Sequence, residues 1–221
     1  MRIAMLLFEK LTQLDLTGPH EVLARIPGAE VLLVAKTMQP VSSETKLVLT
    51  PTATFTDVPT TDLLFVPGGF GQIAATNDAE TMAWVAQVGA KARWVTSACT
   101  GSLLLGAAGL LHGYRAATHW AYMDLLPLVG AIPTEQRVVV DRNRITSGGV
   151  TAGIDAALQI VFETAGRAVA EALALSLEYD PAPVFPGHPR SADHELVEGV
   201  RENLKARHAE RRDQLLAKVR A

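Results

Sequence analysis

The chain has 221 residues and a mass of 23.6 kDa, and its 48% hydrophobic and 19% charged residues are enough to bury a core, which excludes intrinsic disorder. Its 20 Lys and Arg against 23 Asp and Glu give a net charge of −3, which provides no general attraction to nucleic acid. With no membrane-length apolar stretch, no signal-peptide pattern and one cysteine, we expect one soluble domain in the reducing cytoplasm.

Short apolar runs alternate with helix-like segments over the first three quarters of the chain. The apolar runs predict buried strands at residues 2–8, 31–35, 62–66 and 94–97, edge strands or a hairpin within 42–55, and a hairpin around 141–143. Helices are predicted from the Gly18–Pro19 pair to residue 26, and at 79–92, 100–109, 151–165 and 167–179. This alternation indicates an α/β fold with a mostly parallel central sheet and helices on both faces.

The C-terminal part of the chain differs in composition. Residues 1–190 are predicted to form the α/β domain, and residues 191–221 a helical extension that is not a separate domain. Seven Lys or Arg lie between Arg201 and Arg220, against three acids. Such a mixture of charges favours a solvent-exposed helix face over a nucleic-acid patch.

The only cysteine, Cys99, lies at a predicted strand-to-helix turn with Ser97 before it and Gly101 after it. Small neighbours at these positions are typical of a nucleophile elbow, a sharp turn that presents its side chain above the sheet. The N-terminus of the following helix favours a thiolate. The alternative is a small buried hydrophobic residue.

Other candidate residues follow neighbouring strand ends, where open parallel sheets bind ligands. Asp15, between two leucines, is expected to be desolvated and suited to proton transfer, unless it only caps a turn. Gly68, Gly69 and Phe70 follow the strand at 62–66, and this glycine-rich turn could supply an oxyanion hole or be a plain turn. It matches no P-loop or dinucleotide fingerprint.

Two further segments are candidates for the wall of the site. His119 and Trp120 could provide a base or a pocket surface, or be packed in the core, and Gly148 lies at another strand end that opens a helix. The histidines show no spacing typical of metal ligands, so no metal is expected. These residues favour a cysteine nucleophile assisted by a carboxylate, but they do not identify the reaction.

The sequence resembles the ThiJ/PfpI group of the class I glutamine-amidotransferase-like superfamily over residues 1–180. The resemblance is carried by several motifs in order, namely Gln13-Leu-Asp-Leu-Thr-Gly-Pro19, Val66-Pro-Gly-Gly69, Ala98-Cys-Thr-Gly-Ser102, Ala108-Gly-Leu-Leu111, Ala117-Thr-His-Trp120 and Thr146-Ser-Gly-Gly149. It implies a flavodoxin-like sandwich with the cysteine on the elbow, a homodimer, and no metal or organic cofactor.

Within that superfamily, Asp15 with Cys99–Thr100 and the tail from Glu178 to Pro183 look most like the isocyanide hydratases. This resemblance implies addition of water to a small-molecule isocyanide to give an N-substituted formamide. Cys99 would form a thioimidate, Asp15 would act as general acid and base, Thr100 would assist, and amides near Gly69 and Thr100 would stabilise developing charge. His119 matches a family position that this scheme does not need as a base.

Proteins with two other functions share these motifs. The sensory domains of AraC-type regulators carry them, although only some 40 residues follow Asp180 here, too few for the regulators' helix-turn-helix part of about 100 residues. This leaves a ligand-binding module as an alternative. Glyoxalase or deglycase chemistry usually uses cysteine with glutamate and histidine, so the aspartate at position 15 disfavours it.

Overall fold

The computed structural model of the chain describes residues 1–220, so Ala221, the last residue of the predicted extension, lies outside the described residues. The strands are β1 (Arg2–Leu6), β2 (Glu30–Ala35), β3 (Val41–Ser42), β4 (Val48–Leu49), β5 (Ala53–Thr54), β6 (Leu63–Val66), β7 (Trp94–Ser97), β8 (Arg115–Ala116), β9 (Ile132–Pro133), β10 (Val138–Asp141) and β11 (Arg144–Ser147). The helices are α1 (Gln13–Leu23), α2 (Gln72–Asn77), α3 (Ala79–Lys91), α4 (Gly101–Ala107), α5 (Ala152–Ala165), α6 (Arg167–Ser176) and α7 (His194–Arg220), together with a 3₁₀ helix (Trp120–Val129).

Seven strands form one sheet in the order β10-β11-β7-β6-β1-β2-β5. All neighbouring pairs are parallel except the β10–β11 hairpin. The central strands are covered on both faces, and β6 for example is buried at every position. The predicted α/β sandwich with a mostly parallel sheet is therefore confirmed.

The predicted start of the first helix is wrong. Helix α1 begins at Gln13, five residues before Gly18, and Pro19 lies inside it. Pro19 has no N–H to donate to the carbonyl of Asp15 four residues earlier, so the helix lacks one internal hydrogen bond there. Packing of α1 against α5 outweighs this loss, and Gly18 makes room for the Ile154 side chain at the contact.

The C-terminal residues form a single long helix, α7, that lies against the 3₁₀ helix, α2 and α4. Many of its side chains are exposed, as predicted, but Arg211 and Leu215 are completely or almost completely buried. No helix within residues 1–220 is both long and apolar enough to span a membrane.

Candidate active site

The sheet order brings four chemically informative loops to one edge. Strands β11, β7, β6 and β1 are consecutive neighbours, and the first three are followed within two residues by Gly148, Cys99 and the Gly68–Gly69 turn. Strand β1 leads into the first turn of α1, which carries Asp15. Residues far apart in the sequence therefore meet at the carboxyl ends of the strands.

Cys99 occupies a strained elbow between β7 and α4. Its φ of +54° is in the left-handed region that non-glycine residues rarely adopt. The Cys99 N–H donates to the Gly148 carbonyl at 3.0 Å, and the Thr118 hydroxyl donates to the Cys99 carbonyl at 2.8 Å. A Cβ on Gly101 would lie 2.1 Å from the Val66 carbonyl oxygen, so the turn requires glycine there. These contacts hold the strained backbone in place.

Asp15 is fully buried beside the cysteine. Its Oδ2 accepts a hydrogen bond from the Gly68 N–H at 3.0 Å, and its Oδ1 has no partner of normal geometry among residues 1–220. Burial raises the pKa of Asp15 to about 7, interactions with the Cys99 thiol and the Gly68 amide oppose that rise, and the Glu44 charge adds to it. A carboxyl group with this pKa and a free oxygen is suited to give and take a proton near neutral pH.

The Cys99 thiol is only 5% exposed, and its own pKa lies well above the ordinary value. Burial is the largest cause and the nearby Asp15 charge the second, whereas the Thr100 and Val150 amides lower the pKa. The Thr100 amide at the start of α4 acts in the direction expected of a helix N-terminus, but desolvation outweighs it. At neutral pH the resting thiol is therefore protonated, and Asp15 is the carboxyl group that interacts with it.

Val150 is a second strained residue next to the nucleophile. Its φ of +33° is unusual for a β-branched side chain, whose Cβ crowds the backbone in that region. The strained turn places the Val150 amide where it favours the Cys99 thiolate.

The Gly68–Gly69 turn holds the acid and Thr100. The Gly68 N–H binds Asp15, and the Gly69 N–H donates to the Thr100 hydroxyl oxygen at 3.1 Å. A Cβ on Gly68 would lie 2.5 Å from the Thr100 nitrogen and 2.9 Å from Asp15 Oδ2. Both amides of this predicted oxyanion hole are thus engaged by protein atoms, and a role of this turn in substrate binding stays a prediction.

Gly148 also has both backbone groups engaged. Its carbonyl accepts from the Cys99 N–H, and its N–H donates to the Arg137 carbonyl at 3.0 Å. The observed contacts of Gly148 therefore support the elbow, and its predicted contact with substrate is untested.

His119 and Trp120 pack against each other at the start of the 3₁₀ helix, and Phe70 lies at the surface. His119 caps the 3₁₀ helix, where its Nδ1 accepts from the Ala121 N–H at 3.3 Å. Burial, followed by the Arg211 charge, lowers the pKa of His119 to about 4, so the ring is neutral at pH 7. Trp120 stacks on His119 with ring centroids 5.6 Å apart, and Phe70 is 42% exposed beneath the Arg207 guanidinium.

Three residues near the site were missed by the sequence prediction. Glu44 accepts from the Phe70 N–H and the Thr12 hydroxyl at the edge of the Gly68–Gly69 turn. Tyr122 is 3% exposed on the 3₁₀ helix, and the Arg211 guanidinium lies 4.4 Å from its ring centroid. No local pattern marks these residues, because each reaches the site through tertiary contacts.

Within residues 1–220, no group of three or more His, Cys, Asp or Glu side chains is arranged to hold a metal ion. Asp15 and Cys99 interact with each other and with backbone amides. The arrangement can present a thiol to an electrophilic carbon and move a proton between sulfur, carboxylate and that carbon.

Comparison with known proteins agrees with the fold. A ThiJ/PfpI family protein from Pseudomonas syringae has a structure with a TM-score of 0.95 and 45% identity, covering 97% of this chain and 90% of that one. Toxoplasma gondii DJ-1 has a TM-score of 0.73 at 22% identity, covering 81% of this chain and 99% of the other, and this likeness concerns the fold alone.

Sequence comparison gives relatives of two kinds. The isonitrile hydratase of Pseudomonas putida is 52% identical over 202 residues, which are 91% of this chain and 89% of the relative. The HTH-type transcriptional regulator GbdR of Pseudomonas aeruginosa is 32% identical over 138 residues, or 61% of this chain and 37% of the regulator. The model of the DJ-1/PfpI family matches residues 1–163, and the chain belongs to that family.

Proposed function

We propose that the chain is an isocyanide hydratase, which converts R–N≡C and water into an N-substituted formamide. The observation that carries the proposal is a buried carboxyl group, Asp15, with one free oxygen beside the only thiol of the chain. The 52% identity with the P. putida isonitrile hydratase over nearly the whole of both chains supports the same reaction.

The first step joins the thiol to the substrate. Cys99 Sγ attacks the terminal isocyanide carbon as Asp15 removes the thiol proton, and Asp15 then delivers that proton to the same carbon. The product is a thioimidate, Cys–S–CH=N–R, and Asp15 is again a carboxylate. The Thr100 and Val150 amides favour negative charge on the sulfur while the bond forms.

The second step releases the product. Asp15 takes a proton from water as the oxygen adds to the thioimidate carbon, and it passes that proton to the nitrogen. The hydroxyl group of this intermediate then gives its proton to Asp15 as the C–S bond breaks, Asp15 returns the proton to the sulfur, and the formamide leaves. Thr100, fixed by the Gly69 N–H, supports the turn beside the reacting sulfur.

The test is turnover of an aromatic isocyanide, followed by formation of the formamide. We expect turnover by the wild-type protein, and its loss in Cys99→Ala and Asp15→Asn, with unchanged circular dichroism spectra. Turnover that survives Cys99→Ala would rule out the covalent mechanism. An inactive wild-type protein with a reduced thiol would favour a ligand-binding module instead.

The alternative chemistries have less support. The family chemistry of glyoxalase or deglycase type relies on glutamate and histidine with the cysteine, whereas this site has Asp15 and a His119 ring that is neutral at pH 7. The regulators that match this chain extend well beyond the matched segment, which is only 37% of the length of GbdR.

The assembly and location are part of the same proposal. We expect a homodimer, which the family resemblance implies, and large exposed apolar side chains in the segment after α5 support it. Leu175 is 83% and Phe185 80% exposed. A cytoplasmic location is supported by the single, unpaired cysteine, which a reducing compartment would keep as a thiol.

A further inference from the structure

A buried guanidinium from the C-terminal helix lies against the active site. Arg211 is 1% exposed, although it comes from the most highly charged segment of the chain. Its Nε donates to Gln72 Oε1 and its Nη2 to the Gly69 carbonyl, each at 2.9 Å. Neither acceptor carries a charge, and Nη1 is buried without a hydrogen-bond partner of its own.

Burial of an arginine on such partners is costly, since a desolvated cation is normally compensated by a carboxylate. Part of the compensation comes from the Tyr122 ring below the guanidinium, whose centroid is 4.4 Å away. The titratable and charged groups that face Arg211 are Tyr122 and His119 from the 3₁₀ helix and its N-cap, Arg207 from α7, and Cys99 from the elbow. The Gly69 carbonyl that Arg211 binds belongs to the turn that holds Asp15.

The contacts form a continuous chain from α7 to the reacting groups. Arg211 holds the Gly69 carbonyl, the Gly69 N–H holds Thr100, and the adjacent Gly68 N–H holds Asp15. Two other contacts fix α7 itself, because Leu215 is completely buried and the Gln214 amide donates to the Ile73 carbonyl. A shift of Arg211 would therefore move the donors that orient the carboxylate and the threonine.

We propose that Arg211 is a positioning residue of the active site, which fixes the Gly68–Gly69 turn from the C-terminal helix and so holds Asp15 and Thr100 in register with Cys99. A negative charge on Cys99 raises the pKa of Arg211, so by reciprocity the Arg211 charge favours the Cys99 thiolate, with a smaller effect than burial and Asp15 have on the pKa of Cys99. The part of this inference that concerns turnover rests on the proposed hydratase function.

The test compares Arg211→Met with Arg212→Met. Arg212 is the adjacent residue on α7, its side chain is 58% exposed, and its nearest ion-pair partner is Asp213 at 3.7 Å. We expect kcat for an aromatic isocyanide to fall by about tenfold or more in Arg211→Met, with KM changed by less than about twofold. Arg212→Met should match the wild type.

A second measurement does not depend on turnover. Cys99 is the only cysteine, so the rate of alkylation by iodoacetamide as a function of pH reports its thiolate alone. We expect Arg211→Met to shift this profile to higher pH, with slower alkylation at pH 8, and Arg212→Met to leave it unchanged. A purely structural role of Arg211 would lower thermal stability without shifting the profile, and that result would overturn the proposal.

Arg211→Lys keeps the charge but cannot donate to Gln72 and Gly69 in the geometry of the guanidinium fork. We expect Arg211→Lys to keep most of the wild-type alkylation profile but to have a lowered kcat. If Arg211→Met does not fold, Arg211→Lys is measured in its place. Wild-type kcat and alkylation in Arg211→Lys would overturn the positioning role. An inactive wild-type protein would refute the hydratase function, while the alkylation series would still decide the role of Arg211.

Discussion

At the scale of single residues, the site depends on the competition between burial and polar contacts. Asp15 and Cys99 are both desolvated, and both pKa values are raised for that reason. Each charge also disfavours the other, so at neutral pH the pair binds more protons on average than a separated aspartate and cysteine would. The Asp15 carboxyl group can therefore both donate and accept a proton in this pH range.

The pH dependence of turnover follows from Asp15. We expect kcat/KM to rise with pH through a midpoint of about 7, because the carboxylate is needed to accept the thiol proton. The measurement is the pH profile of formamide formation between pH 5 and 9. A midpoint near 4, the ordinary range for aspartate, would contradict the assignment of Asp15 as the base.

The same residue gives a prediction for stability. The pKa of Asp15 is 3.8 when exposed and about 7 in the folded chain, so the folded state binds the extra proton and loses stability as pH rises from 4 to 7. Asn can still accept from the Gly68 N–H without a buried charge, and Asp15→Asn should be more stable at pH 8 by up to about 4 kcal/mol. Urea unfolding at pH 4 and pH 8 measures this difference.

The wild type and Asp15→Asn should differ by less than about 1 kcal/mol at pH 4, where Asp15 is protonated in the folded chain and partly protonated in the unfolded chain. A difference that is the same at both pH values would show that the substitution acts through packing and not through the buried charge.

At the scale of elements, the turns after β6 and β7 are packed so tightly that a Cβ atom on Gly68 or Gly101 would clash with the backbone. The Gly68 turn lies between α1 and α4, and Gly101 packs against the end of β6. Because glycine has no Cβ, the backbone can come close enough for the amides of the Gly68–Gly69 turn to donate to Asp15 and Thr100.

Gly68→Ala tests this tight packing. Its Cβ would lie 2.5 Å from the Thr100 nitrogen, so the turn must shift, and we expect at least tenfold lower turnover and a loss of about 1–3 kcal/mol in the free energy of unfolding. Steady-state kinetics and urea unfolding measure both effects.

Gly199→Ala is the matched control, because a Cβ there meets no atom within 4 Å and Gly199 lies inside α7. It should leave turnover unchanged and stabilise the helix by about 0.5–1 kcal/mol. Equal activity of Gly68→Ala and Gly199→Ala would show that the turn can relax without affecting the site.

At the scale of the whole molecule, the exposed apolar side chains concern assembly. Helix α6 has no fully buried residue, and Leu175 at its C-terminal end and Phe185 in the following proline-rich segment point largely into solvent. An interface that covers these side chains would remove them from water, which supports the proposed homodimer.

The proposed dimer can be tested with the double variant Leu175→Glu and Phe185→Glu. We expect the wild-type protein to sediment as a dimer and the double variant as a monomer, because two charges per subunit would have to be buried. Leu196→Glu, at a position 61% exposed on α7, is the control and should remain dimeric. A wild-type monomer in sedimentation equilibrium would refute the homodimer.

Several features of this protein could be predicted from the sequence, because they are set by local patterns. Continuous apolar runs such as residues 62–66 indicated strands buried on both faces, and small residues around Cys99 indicated the elbow. The rule that ligands bind at the carboxyl ends of parallel strands then picks out the strand ends before Asp15, Gly68 and Cys99 as candidate sites. Each of these inferences needed only short-range sequence information.

Other features were decided only by tertiary structure. The start of α1 at Gln13 depends on packing against α5, which outweighs the local signal of Gly18–Pro19. The raised pKa of Cys99 depends on how completely the fold excludes water, which a helix N-terminus alone does not reveal. Arg211 is separated from Gly69 by 142 residues, and only the docking of α7 turns one arginine of a charged helix into a buried contact of the active site.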